Sequence, residues 1–334
     1  MVIAEISHGL AVHVGLQGFV EFALLFVIVW LAWLNGAVYH DLHGNNDFRT
    51  RVFTFLQMFT VAAMAVFAHN AFGAGSVGFA LSFAAFQLIF AYLWWRTGVH
   101  DPLHRPLSRP YVFTSLFSTL LFVFSVFVPP PVRFYLWGIA TLITVLLPIV
   151  SFFRRPSDPD ILAEHERSMK PSPSLVERFG LFTIIVLGEL IVGVVRGVAG
   201  HHHLTWGVGI TAALGMLLAI GIWWLYFDFV SRHLPIEGIR SGAWIYLHLF
   251  MTLSIAATGA AILNVIEHSG ESMPPEVRWL LVGAIAATLV CIALLMGAIQ
   301  LDPNYLPLYR AGAMVTALSA ALSFGLGFLP IGII

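Results

Sequence analysis

Residues 176 to 195 read VERFGLFTIIVLGELIVGVV, a paired charge followed by an apolar helix with one carboxylate deep inside it. Glu189 lies eleven residues after Arg178. At 1.5 Å per residue that places it roughly 16 Å along the helix, near the middle of a bilayer core about 30 Å thick. An ionised acid facing lipid at that depth is costly, so Glu189 must face protein or water, pair with another group, or hold a proton. At about 100° per residue, Arg178, Glu189, Gly193 and Gly197 fall on one stripe. Gly193 and Gly197 form a small-xxx-small packing face, and Gly188 is counted with them as a packing glycine.

The surrounding chain fits a membrane setting. Its 334 residues are 59% hydrophobic and 10% charged, with mean hydropathy +0.89, and the apolar runs recur at roughly 20-residue length. Continuous rather than alternating hydrophobicity excludes an outer-membrane barrel and leaves helices to satisfy the backbone in lipid. The expected fold is all-α, a polytopic integral membrane helical bundle. One cysteine, Cys291, rules out an intramolecular disulfide and any CxxC zinc or redox site. A net charge of −1 supplies no case for a nucleic-acid partner. Met1 to His13 lacks the positive region of a cleavable signal peptide.

Ten membrane helices are read, at about 17–39, 52–72, 77–96, 110–128, 133–153, 178–199, 205–228, 241–264, 278–301 and 309–330. Of the 16 Lys and Arg, 13 lie in the loops after the odd-numbered helices, which are therefore expected to be cytoplasmic, in the bacterial inner membrane. Residues 154–175 form a charged, proline-ended cytoplasmic linker with room for one short surface helix. It separates a first membrane repeat, 1–153, from a second, 176–334. Trp30, Trp33, Asn35 and His40 match Trp223, Tyr226, Asp228 and His233 at a shift of 193. Arg49, Phe53, Leu56 and Gln57 match Arg240, Trp244, Leu247 and His248 at a shift of 191. A repeat of six helices is even, so the two copies are expected to run in parallel, related by an axis along the membrane normal. The repeat also predicts a helix before the first, of which Met1 to His8 is the tail, and another after Pro330–Ile334.

Several side chains could carry chemistry. Glu189, Asp228, His248, Asn35 and Gln57 form the candidate intramembrane polar site, with Asp228 and His248 approaching one cavity from the cytoplasmic end. The bland alternatives are an interfacial Asp228 capped by Arg232 or Arg240, and a His248 bonded to a backbone carbonyl. Glu177 with Arg178 reads as an interfacial ion pair. Trp30, Trp94, Trp95, Trp137, Trp206, Trp223, Trp224 and Trp279 read as an aromatic belt. His201–His203, His40 with His43, and His100 with His104 have spacings compatible with metal but no supporting carboxylate and cysteine framework, so solvated loop histidines are the better reading. No cofactor, metal or standard enzyme signature is identified.

The ERFGLFTIIVLGE segment resembles the hallmark helix of the bacterial low-temperature-requirement protein A family. Glu177, Arg178, Gly180, Leu181, Phe182, Ile184, Ile185, Leu187, Gly188 and Glu189 carry the match, supported by Trp223–Asp228 and Tyr246-Leu247-His248. Of the family's leading acidic helix the chain keeps Ser7-His8, and it has Ser174 where a histidine often precedes the Glu-Arg pair. The resemblance implies an integral membrane protein. Pseudo-symmetry with midplane polar groups favours a transporter or channel-like protein for a small ion or solute, proton-coupled through Glu189 with Asp228 and His248. Its partners are then the lipid bilayer and that small ion or solute. The alternatives are an integral-membrane enzyme acting on lipid or an isoprenoid carrier, and a non-transporting structural or sensory protein.

Overall fold

The computed structural model describes residues 2–44, 48–153, 158–168, 170–201, 203–269 and 272–328, and these are helical almost throughout. The expectation for Pro330–Ile334 lies outside them. In chain order the helices are α1 (Val2–Val12), α2 (Leu16–His43), α3 (Phe48–Ala68), α4 (Ser76–His100), α5 (Arg105–Ser125), α6 (Val132–Phe153), α7 (Pro159–Ser168), α8 (Pro173–Ala199), α9 (Trp206–Phe229), α10 (Ile239–Glu267), α11 (Pro275–Met296) and α12 (Leu306–Leu326). The ten expected spans correspond to α2–α6 and α8–α12. Among the described residues, eight of these are long and apolar enough to cross a membrane. α12 falls short because Tyr309, Arg310, Thr316, Ser319 and Ser323 dilute it. The protein is an integral membrane protein.

Local chemistry sets the ends. α8 starts where Ser172 accepts a hydrogen bond from the Leu175 amide at 3.0 Å and Pro173 takes a first-turn position, the positions each favours at a helix N-terminus. Thr205 caps α9 the same way through Val208 at 3.3 Å. α7 is the short linker helix, its first amides held by Asp158. α5 begins at Arg105 rather than near 110 because Pro106 sits in its first turn and Pro110 is accommodated inside it.

The chain divides into two compact units, Met1–Ile6 with Leu24–Lys170, and Ser7–Ala23 with Pro171–Ile334. In the first, α4 lies between α3 and α5, and α6 packs on α5. Phe79, Phe83, Phe122 and Trp137 fill this core, with Phe122 and Trp137 stacked at 5.5 Å. Arg133 ties its end together, donating from Nε to the Ser125 carbonyl at 3.0 Å, from Nη2 to Val126 at 3.2 Å and from Nη1 to the Ser76 hydroxyl. One guanidinium thereby satisfies carbonyls that the end of α5 would leave open.

In the second unit α10 is central, flanked by α8 and α11, with α12 on α11 and α9 on α8. Asn264 on α10 donates to the Ala11 carbonyl at the end of α1, at 3.1 Å. The loops after α9 and α11 are joined by main-chain bonds, Ile236 to Ala298 and Gln300 to Leu234, both 2.8 Å. Trp30, Trp94, Trp137 and Trp244 are fully buried. The first three therefore correct the aromatic-belt reading, which position near a helix end cannot separate from core packing, whereas Trp95, Trp206, Trp223 and Trp224 are exposed.

Candidate functional site

α8 carries the acid that organised the sequence. Glu189 lies sixteen residues from Pro173 and ten from Ala199, roughly 24 and 15 Å. It is half-buried. Beside it α8 and α10 meet through their backbones. A Cβ added at Gly259 would lie 3.0 Å from the Glu189 carbonyl oxygen, and one added at Gly193 would lie 2.5 Å from the Gly259 oxygen. Gly197 is filled in the same way by Ile266, at 2.7 Å. Gly188 differs, since an added Cβ there meets nothing within 4 Å. Five residues separate it from Gly193, a rotation of roughly 140° off the stripe.

Glu177 is exposed and Arg178 half-buried, and no ion pair joins them among the described residues. Adjacent helical residues point about 100° apart and do not face each other. The Arg178 Nε is buried without a hydrogen-bond partner.

His248 is fully buried and belongs to a polar knot inside the second unit. Its Nδ1 lies 2.7 Å from the Trp244 carbonyl and its Nε2 3.0 Å from the Tyr226 hydroxyl. A carbonyl only accepts, so Nδ1 carries the proton, and Nε2 accepts from Tyr226. For the neutral ring this is the Nδ1–H tautomer, held at both nitrogens. Thr252 donates to the His248 carbonyl at 2.7 Å, while Phe179 and Trp244 pack on the ring at centroid distances of 4.8 and 4.3 Å. Sequence reasoning did not single out Tyr226 as a partner.

Asp228 is not part of this knot. Two residues beyond Tyr226, it points about 200° away, is exposed, accepts from Trp224 Nε1 and faces Arg232 at 3.9 Å. The structure therefore separates the two residues that the sequence reading brought to one cavity. Next to it, burial and the neighbouring Arg232 charge lower the His233 pKa below its ordinary value. His233 Nε2 meets the Tyr309 hydroxyl at 3.2 Å.

In the first unit Asn35 accepts from Trp94 Nε1 at 3.0 Å. Gln57 is buried, and its Nε2 has no partner. Trp94 stacks on Tyr111 at 4.3 Å and meets Tyr39 and His43 edge-on. His43 contacts His104 at 4.9 Å, and His104 Nδ1 donates to Asp101 at 2.7 Å. Burial acts to raise the Asp101 pKa, but its hydrogen bonds, chiefly from His104, outweigh that and hold it below the usual carboxylate value. Among the described residues no group of three His, Cys, Asp or Glu could hold a metal ion. His201 bonds the Ile266 carbonyl at 2.6 Å, and Cys291 is buried.

A family model described as bacterial low temperature requirement A protein (LtrA) matches residues 1–333. No curated protein and no solved structure matches. The chain belongs to the LtrA family.

Proposed function

We propose that this integral membrane protein is a transporter or channel-like protein of the bacterial cytoplasmic membrane that moves a small ion or solute, with Glu189 as the proton-coupling group. The observation that carries the reading is a carboxylic acid midway along an apolar 27-residue helix, at a crossing where α10 comes within backbone contact. Intramembrane ionisable groups of this kind mark ion and proton paths by default. His248 supports the path as a fixed polar element, both its ring nitrogens being engaged.

Orientation follows the positive-inside rule, with the loops after α2, α4, α6, α9 and α11 in the cytoplasm. The two-repeat reading is supported by packing order: α4 lies between α3 and α5 as α11 lies between α10 and α12. On this reading the chain performs no covalent chemistry.

The test is Glu189→Gln, which keeps shape and most hydrogen bonding while removing titration. The expected result is normal membrane abundance with pH-dependent flux into proteoliposomes lost, or cold-growth complementation lost. Normal activity with unchanged pH dependence would return Glu189 to a structural role.

A further inference from the structure

At the end of the second unit where α8 begins and α9 ends, a groove of about 290 Å³ opens between the two helices. Its walls are apolar, with Leu181, Ile184 and Phe227, and its rim carries Glu177 and Arg232. Gly180 creates the space. Its missing side chain would point toward Phe227 and Ser231, at 3.6 and 3.9 Å from a Cβ. The groove is graded along the helix axis. Glu177 and Ile184 are seven residues apart, roughly 10 Å, which spans a polar headgroup and the start of an acyl chain. Leu181 and Ile184 are 55% and 47% exposed, so the apolar strip runs out onto the surface that lipid covers.

We propose that this groove binds one phospholipid with an ethanolamine headgroup. Arg232 is free to meet a phosphate: its side chain is 74% exposed, and its pair with Asp228 is a loose 3.9 Å contact. Glu177 offers an exposed carboxylate to the ammonium, whose three N–H donors match an acceptor-only group. The charges that line the groove, Glu177 and Arg232, balance each other, which favours a zwitterionic headgroup over an anionic one. The Glu177 acceptor also argues against choline, whose trimethylated nitrogen has no N–H to donate. A small soluble cation would make no use of Leu181, Ile184 and Phe227. The proposal stands on the groove alone and is independent of the transport reading.

The experiment is native mass spectrometry of the full chain in detergent, titrated with phosphatidylethanolamine, phosphatidylcholine and phosphatidylglycerol of identical acyl chains. One ethanolamine lipid per chain is expected, retained roughly fivefold better than the choline lipid. Glu177→Gln should erase that preference and leave choline-lipid binding in place. Arg232→Gln should weaken both lipids, and Gly180→Leu should displace both from a protein whose melting temperature confirms that it is folded. Equal retention of the ethanolamine and choline lipids by the unsubstituted chain, a preference for phosphatidylglycerol, or an ethanolamine preference that survives Glu177→Gln would each overturn the proposal.

Discussion

Replacing Gly193 with alanine tests the α8–α10 crossing most directly. The new methyl carbon would sit 2.5 Å from the Gly259 carbonyl oxygen, and ordinary contact begins at 3.4 Å, so the two backbones must part by about 0.9 Å. No rotamer can absorb this, because the obstructing atom is main chain. A gap of that size forfeits a quarter to a half of each dispersion contact across the crossing. In a membrane, van der Waals packing between helices is a principal force holding them together. Overpacking of this kind costs about 1–3 kcal/mol. Alanine also raises helix propensity by roughly 1 kcal/mol, which would mask part of the loss. Gly188→Ala is the control, since it gains the same propensity and meets nothing within 4 Å. Gly193→Ala should therefore unfold more easily than Gly188→Ala by about 1–3 kcal/mol in mixed-micelle denaturation. Equal stability of the two variants would refute the close crossing.

Three further outcomes are expected. In a Cys291→Ala background, single cysteines at Ser174, exposed in the first turn of α8, and at His203, past its other end, should react with an impermeant thiol reagent from opposite sides of the membrane; labelling of both from one side would refute the span. Tyr226→Phe leaves the buried His248 Nε2 without its donor and should cost about 1–3 kcal/mol; an unchanged melting temperature would show that the bond contributes nothing. Because burial and Arg232 lower the folded-state pKa of His233, its contribution to stability is present above the ordinary value near 6.5 and is lost as pH falls through the lowered value. His233→Gln should flatten that acid-side decline in melting temperature, and an identical pH profile would remove His233 as its cause.

The helices were legible because their signals are local. Ser172-Pro173 announces the start of α8, and each apolar run has the length of a bilayer. The faces of α9 were not legible, because this helix is apolar on nearly every side, so no stripe tells which of Tyr226 and Asp228 turns inward. The reading chose the charged residue, and the core took the phenol, which can donate to His248 without a buried charge. Gly193 and Gly197 could be read from spacing, whereas Gly259, their counterpart on α10, sits in a small-residue run, AATGAA, that gives no reason to prefer one position.

The joint between the loops after α9 and α11 is made by main-chain atoms of Leu234, Ile236, Ala298 and Gln300, with the Gln300 side chain adding one bond to the Pro235 carbonyl. Its specification is thus one of chain length more than of residue identity. Substitutions at Ile236 or Ala298 keep the same amide and carbonyl, and proline at 236 or 300 is the replacement that deletes a donor. Insertion or deletion of a single residue shifts every partner at once. Across divergent members of the family, these two loops should hold their lengths while their exposed positions drift in composition, with the buried Ala298 and Ile299 positions staying apolar.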